Sequence, residues 1–202
     1  MTNITINRSQ RRQQIIQALL EEMATSGYHQ ASIQAIAKTA GLAPGLIHYH
    51  FKNKQEILTA LIFQLSDIAK TRYRNICKTD LSTRNQLHAF IDAALLQNDT
   101  AEPYAVTAWV MITTEAIRQH EVKVIYQNVV DSSLKELKYI LNQLVLEEKH
   151  DFTKQQIEGL AATIYSCIEG AFQLSASAAE VMPKNYAASS LKALIDAYLP
   201  KN

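Results

Sequence analysis

Apolar residues recur at helical spacing along almost the whole of this chain, and proline falls only at the edges of those periodic stretches. Pro44, Pro103 and Pro183 each stand where a new stretch begins, and Pro200 follows the last one. Proline fixes φ and lacks an amide hydrogen, so it is tolerated in the first turn of a helix but breaks its interior. With four prolines and five glycines in 202 residues, the chain has few points at which to change direction. No stretch carries the alternating, valine-rich pattern of a sheet strand. The composition, 48% hydrophobic and 19% charged, is that of a chain able to bury a real core. The expectation is an all-α fold.

The first helix is expected over residues 8–25, where Ile15, Ile16, Leu19, Leu20 and Met23 form one stripe and Gly27 closes the end. Ser32 caps a short second helix over 33–39, with Ile33, Ile36, Ala37 and Ala40 inside. Gly41 then supplies a turn, and Pro44 fits the first turn of a third helix over 44–50. Ala43 has no side-chain acceptor, which weakens that helix start by about 1 kcal/mol. Asn53 and Glu56 form a capping box for a long fourth helix, whose stripe is Ile57, Leu58, Leu61, Ile62, Leu65, Ile68 and Ala69. Beyond it the helical segments are 83–97, 103–119, 121–148, 154–179 and 184–199. Thr153 and Gln156 make a second capping box, with Phe152 and Ile157 placed as a hydrophobic staple across it.

The net charge of +1 is unevenly divided. Residues 1–54 carry six basic side chains (Arg8, Arg11, Arg12, Lys38, Lys52, Lys54) against Glu21 and Glu22, or +4, which leaves −3 for the remainder. A basic head on a mildly acidic body suits a nucleic-acid reader with a second module. Two short helices around a glycine turn describe a helix-turn-helix, whose second helix enters the major groove. That helix needs one apolar side for docking, and Ile47 and Phe51 stand one turn apart to supply it. Its tip must be slim, which Pro44 and Gly45 satisfy, while His48 and Tyr49 can reach base edges or phosphates. Lys52 and Lys54 follow at the start of the next helix, where cations and free backbone N–H groups meet a phosphate.

The segment Gly41-Leu42-Ala43-Pro44-Gly45-Leu46-Ile47-His48-Tyr49-His50-Phe51-Lys52-Asn53-Lys54 resembles the TetR family, whose pattern here is Gly-Val-Ser-x-Gly-x-Leu-Tyr-x-(His/Tyr)-Phe-x-x-Lys. The resemblance covers residues 10–65, including Ser32-Ile33-Gln34-Ala35-Ile36-Ala37 and Lys54-Gln55-Glu56-Ile57-Leu58. It implies a dimeric, usually repressing regulator that leaves its double-stranded DNA operator when a small ligand enters the C-terminal domain. Position by position, it puts Gln34 and Leu46 near bases, Pro44 and Gly45 at the helix tip, and His50 and Lys54 on phosphates. The chain departs from the pattern at Ala43, where serine is usual, and at His48, where tyrosine is usual. The organisation expected is a helix-turn-helix DNA-binding domain over 1–54, joined by the long helix to an effector-binding and dimerisation domain over 55–202.

In the second domain, the dimer interface is expected on the last two helices. Ile164, Ile168 and Ala171 lie among small residues that permit close packing, and Leu191, Leu194, Ile195 and Tyr198 continue one apolar face. The alternative for these residues is the internal core of one protomer. The effector-binding candidates are Tyr104, Trp109, Ile112, Tyr126, Tyr165 and Phe172, with Glu115 and Glu169 as acids in largely apolar stretches. An acid beside aromatic faces suits an organic cation. Alternatively, Glu115 pairs with Arg118 one turn on, and Glu169 faces the dimer seam or water. Phe90-Ile91-Asp92-Ala93, Ala108-Trp109, Glu115-Ala116-Ile117-Arg118 and Ile168-Glu169-Gly170-Ala171 are similar to the choline-sensing betaine-synthesis repressors within that family.

Other classes fit less well. The chain has no nucleotide-binding glycine loop, no Cys-x-x-Cys, no His-Glu-x-x-His and no serine in a nucleophile elbow, so no enzyme and no cofactor is expected. His48 and His50 point in different directions on a helix, and His88, His120 and His150 are isolated in the sequence, so no metal site is expected. Cys77 and Cys167 are too few for a disulfide framework. The polar start Met1 to Asn7, and apolar runs shorter than the ~18 residues of a membrane helix, lead to the expectation of a cytoplasmic protein without membrane contact. A ligand-independent DNA-associated or protein-recruiting factor, or an activator, is the competing function.

Overall fold

The computed structural model describes residues 8–78, 81–95 and 104–201. Among them the chain forms α1 (Arg8–Ser26), α2 (Ile33–Thr39), α3 (Pro44–His50), α4 (Lys54–Ile76), α5 (Thr83–Leu95), α6 (Ala105–Arg118), α7 (His120–Glu147), α8 (Lys154–Ser177) and α9 (Tyr186–Tyr198), with a short 3₁₀ turn at Ala179–Val181. No strand occurs among the described residues, as the all-α expectation required. The expected ends of the fifth helix at 96–97 and the start of the sixth at Pro103 lie outside the described residues.

The helices divide into two compact units. One contains α1 to α3, α4 as far as Leu65, α6, and the start of α7 to Tyr126; the other holds the rest of α4, α5, the remainder of α7, α8 and α9. The first unit therefore takes in α6 along with the three N-terminal helices. In it, Ile15, Leu19, Leu20 and Met23 of α1 are fully buried, together with Ile36, Ile47, Ile57, Leu58, Leu61, Ile62 and Ile112. α1 packs against α2, α3 and α6. Each such aliphatic side chain contributes about 1.5–3 kcal/mol on burial, enough to hold short helices that are marginal alone. The turns between the helices rest on Gly27 (φ 81) and Gly41 (φ 64), left-handed positions that a Cβ disfavours.

The second unit is built around Leu87 and Ile91 of α5, Leu137, Ile140, Leu141 and Leu144 of α7, Ile157, Ile164 and Ile168 of α8, and Leu191, Ile195 and Leu199 at α9. Thr153 caps α8 with the reciprocal Gln156 contact, so the capping box forms as the sequence predicts, and Phe152 packs on the core that contains Ile157. α9 starts at Tyr186, not 184, because Asn185 takes a left-handed conformation (φ 54) at its head.

A polar cluster around Arg84 lies in this unit. Arg84, 4% exposed, makes a two-pronged contact with Glu148, donates Nη1 to Asp196 Oδ1 at 2.6 Å and donates Nη2 to the Leu199 carbonyl at 2.7 Å. His150 stands 3.2 Å from Glu148 and His88 3.0 Å from Asp196. Two of the three histidines that are isolated in the sequence thus flank one arginine. Hydrogen bonding to Arg84 holds the Glu148 carboxyl below its ordinary range. Burial alone would raise Asp196, but hydrogen bonds from Arg84 and His88 bring it down.

Candidate nucleic-acid interface

α2 and α3 meet across the turn at Gly41, where the Leu42 N–H donates to the Ala37 carbonyl at 2.8 Å. Ser32 caps α2, accepting from the Ala35 N–H at 3.1 Å. Ala43 precedes α3 in extended conformation with no side-chain cap, as its chemistry dictates, and Pro44 occupies the first turn. Ile47 and Phe51 are buried, so the side of α3 expected to dock does so.

The opposite surface is open. Gln34, Pro44, Gly45, His48 and Tyr49 are exposed, Tyr49 at 71%, and Leu46 is half-buried. Nothing lies within 4 Å of the place a Cβ would take on Gly45, so the slimness of the tip serves nothing inside the protein. His50 differs from its neighbours. Its side chain is buried, and its Nδ1 has no hydrogen-bond partner. Burial, reinforced by Arg8, Arg12 and Arg11, holds its imidazole below the ordinary histidine value.

Arg12 fixes the end of α3 from across the unit. It donates Nη1 to the His50 carbonyl, lies 3.9 Å over the Phe51 ring and stands 3.5 Å from Glu56. Gln14 similarly donates to the Ala40 carbonyl at the end of α2, at 2.6 Å. The start of α4 is capped as expected on one side, with Asn53 Oδ1 accepting from the Glu56 N–H at 2.9 Å. Glu56, however, reaches back one residue further than a standard capping box, to the Lys52 N–H at 2.8 Å. In the sequence, Arg12 reads only as charge. A basic residue one turn before an apolar stripe was the sole available signal.

The two lysines at the start of α4 part company. Lys52 is exposed beside the α3 surface, whereas the Lys54 ammonium donates to the Tyr28 carbonyl at 2.8 Å and lies 4.1 Å from the centre of the Tyr28 ring. Burial lowers Lys54 from its ordinary value, opposed by the carboxylate of Glu115. The Tyr28 hydroxyl donates to Gln55 Oε1 at 3.0 Å, and burial together with Glu115 pushes its pKa up to about 12. The structure thus directs the Lys54 side chain, expected on a phosphate, into its own unit.

The effector candidates fall into both units. Trp109 and Ile112 of α6 are buried, Tyr104 is exposed, and the Trp109 and Tyr126 rings lie 5.7 Å apart. Glu115 is buried on the same helix, facing His29 at 3.5 Å and accepting from Gln119 Nε2 at 2.6 Å instead of pairing with Arg118. Tyr165, Glu169 and Phe172 are half-buried on α8 in the second unit. Of the dimer candidates, Ile164, Ile168, Leu191 and Ile195 are at most 7% exposed and belong to the core of their own protomer. Leu194 at 68% and Tyr198 at 56% are open, and Ala171 is half-buried. No group of three or more metal-binding side chains stands together, and no helix is long and apolar enough to cross a membrane, among the described residues.

Comparison with known proteins bears on this geometry. Residues 15–61 match the family of bacterial regulatory proteins described as the tetR family. Over 194 residues the chain is 26% identical to the HTH-type transcriptional regulator BetI of Escherichia coli O17:K52:H18, covering 94% of each protein. Over 48 residues it is 52% identical to the fatty acid metabolism regulator protein of Bacillus subtilis, covering 24% of this chain and 25% of that one. A transcriptional regulator from Saccharomonospora viridis, solved in complex with choline, shares the fold with a TM-score of 0.75 at 19% identity, over 96% of this chain and 97% of that one.

Proposed function

We propose that this chain is a TetR-family transcriptional regulator, on its match to that family over residues 15–61 and its likeness to BetI along the chain, and that it acts as a homodimeric repressor. In this reading two helix-turn-helix heads occupy successive major grooves of a palindromic operator, about 34–36 Å apart, and a small molecule releases them. The observation that carries the reading is the surface of α2 and α3. Gln34, Pro44, Gly45, His48 and Tyr49 all face outward on helices whose other sides are buried, and Arg12 and Gln14 clamp the helix ends behind them. Gln34, Leu46, His48 and Tyr49 are assigned to bases or nearby phosphates, and Lys52 to a phosphate. For His50 and Lys54, whose side chains turn inward, the assignment is to holding the backbone that meets the phosphates.

Functionally the chain divides into a reader over 1–54 and an effector and dimerisation part over 55–202, acting in the cytoplasm where DNA is found. The role involves no reaction. A dimer through α8 and α9 is supported by the open Leu194 and Tyr198 beside the exposed small residues Ala162, Ser166, Gly170, Ala193 and Ala197. An organic cation is the ligand class favoured by the Trp109–Tyr126 ring pair, by the choline held in the S. viridis protein and by the resemblance of the C-terminal stretches to choline-sensing repressors. Tyr104, Trp109, Ile112 and Tyr126 form the first set to test, and Tyr165, Glu169 and Phe172 the second.

The test is selection of duplexes from a random pool by the purified protein. Choline, other quaternary ammonium compounds and fatty acyl compounds are then added to the complex. The expected result is a palindromic duplex released by one of these classes. Failure to enrich any duplex overturns the DNA-reading proposal; an enriched duplex whose affinity no bound compound changes favours a ligand-independent factor.

A further inference from the structure

Glu115 is the only acidic residue of α6, whose sequence is otherwise largely apolar, and it is 5% exposed. A carboxylate in such surroundings is costly to bury unless it meets positive charge or hydrogen-bond donors. One donor comes from its own end of the chain, the Gln119 amide at 2.6 Å. From the opposite side of the unit the His29 ring approaches, its Nε2 3.5 Å from a Glu115 carboxylate oxygen, in the turn that joins α1 to α2. The field of the same carboxylate reaches the neighbouring Tyr28 and Lys54, and these two are themselves joined by the Lys54–Tyr28 hydrogen bond and ring contact. A single buried charge on α6 thus stands beside the corner where the α1–α2 turn and the first residue of α4 meet. That corner carries α2 forward and sets where α4 begins, just after Lys52 and Asn53. His29, at 65% side-chain exposure, also has its ring centroid 6.1 Å from that of Tyr28.

We propose that Glu115 is a positioning residue for DNA recognition: through His29 it holds the α1–α2 corner, and with it α2, in the attitude from which the helix-turn-helix meets DNA. It does so without belonging to the DNA-facing surface. The inference rests on the DNA-reading function proposed above and adds a residue that sets its affinity from behind.

The experiment uses the full-length protein and a duplex enriched from the random pool, with the dissociation constant measured over a range of salt concentrations. Glu115→Gln keeps the shape and the Gln119 contact but removes the charge; His29→Asn alters the exposed partner, where misfolding is not at issue. Each single variant is expected to bind roughly fivefold to tenfold more weakly. Thermal midpoints and the slope of log K against log salt should stay those of the parent chain, since no phosphate contact is lost. The double variant should be no weaker than the weaker single one, because both remove one contact. A merely structural role would instead lower the midpoint and leave the folded fraction binding normally. Wild-type affinity in His29→Asn, or a salt slope reduced by about one, overturns the proposal. If no duplex is enriched at all, the regulator reading fails first and this inference falls with it.

Discussion

Arg12 donates to the backbone carbonyl of His50, the last residue of α3, from 38 positions earlier in the chain. The bond satisfies a carbonyl at a helix end while the guanidinium covers the Phe51 ring at 3.9 Å. The attitude of the recognition helix, which lacks a side-chain cap, is therefore held partly by a residue on α1.

Replacing Arg12 by Met should keep the hydrophobic stem but lose the carbonyl bond. The Arg12 side chain is one-third exposed, so solvent screening limits the stability loss to about 1 kcal/mol. DNA affinity should fall more than that, and Arg12→Lys should not restore it, because an ammonium cannot serve the carbonyl, Glu56 and the ring at once. Thermal unfolding and duplex binding measured on the same preparations check both.

Gly45→Leu is expected to leave the fold intact, because nothing stands within 4 Å of the added Cβ. A helical glycine replaced by a better helix former gains about 0.5–1 kcal/mol. The same side chain would project from the slim tip of α3 and abolish duplex binding. A raised melting temperature with lost binding is the outcome to look for.

Lys52→Gln and Lys54→Met separate two kinds of lysine. Lys52→Gln should reduce the salt slope of DNA binding by about one without altering stability. Lys54→Met should lower the melting temperature, since it removes the bond to Tyr28, and leave the slope unchanged. A reduced slope for Lys54→Met would return that side chain to a phosphate.

Arg84→Met should cost about 3 kcal/mol, because Glu148 and Asp196 would keep their places around a lost partner. In the parent chain both carboxyls titrate below their ordinary values when folded. The stability they bring is full above the unfolded carboxylate range, near pH 4.5, and is lost as pH falls through the lower folded values. Melting followed from pH 7 to pH 3 should show this acid loss in the parent and a weaker one in Arg84→Met.

Leu194→Glu should turn the protein monomeric at concentrations where the parent chain is dimeric, with helical content preserved, because Leu194 is 68% exposed in the protomer. Size measurement by light scattering, combined with duplex binding, checks this. A variant that remains dimeric would place the interface elsewhere.

Much of the fold was legible because its signals are local. The stripe Ile15, Ile16, Leu19, Leu20, Met23, the caps at Ser32 and Thr153, and the left-handed Gly27 and Gly41 all act within one or two turns of the residue concerned. Ends set by less characteristic residues were harder to read. Lys149, at φ 54, closes the end of α7 without the glycine that usually marks such a position. On the reading surface, exposure of Gln34, Pro44, Gly45, His48 and Tyr49 follows from the same periodicity that buries Ile47 and Phe51.

The sequence alone determined the all-helical class, the helix-turn-helix and the family resemblance, since each is written in residues at most a few turns apart. Only the tertiary structure decided what the polar residues do. Ile164, Ile168, Leu191 and Ile195 look equally suited to a core or an interface by period, and packing within the protomer claims them for the core. Arg84 finds Glu148 and Asp196 at separations of 64 and 112 residues, and Glu115 finds His29 across the first unit. A buried charge takes whichever partner the packed helices bring within reach. Apolar periodicity sets that packing, but it does not specify which charges will meet.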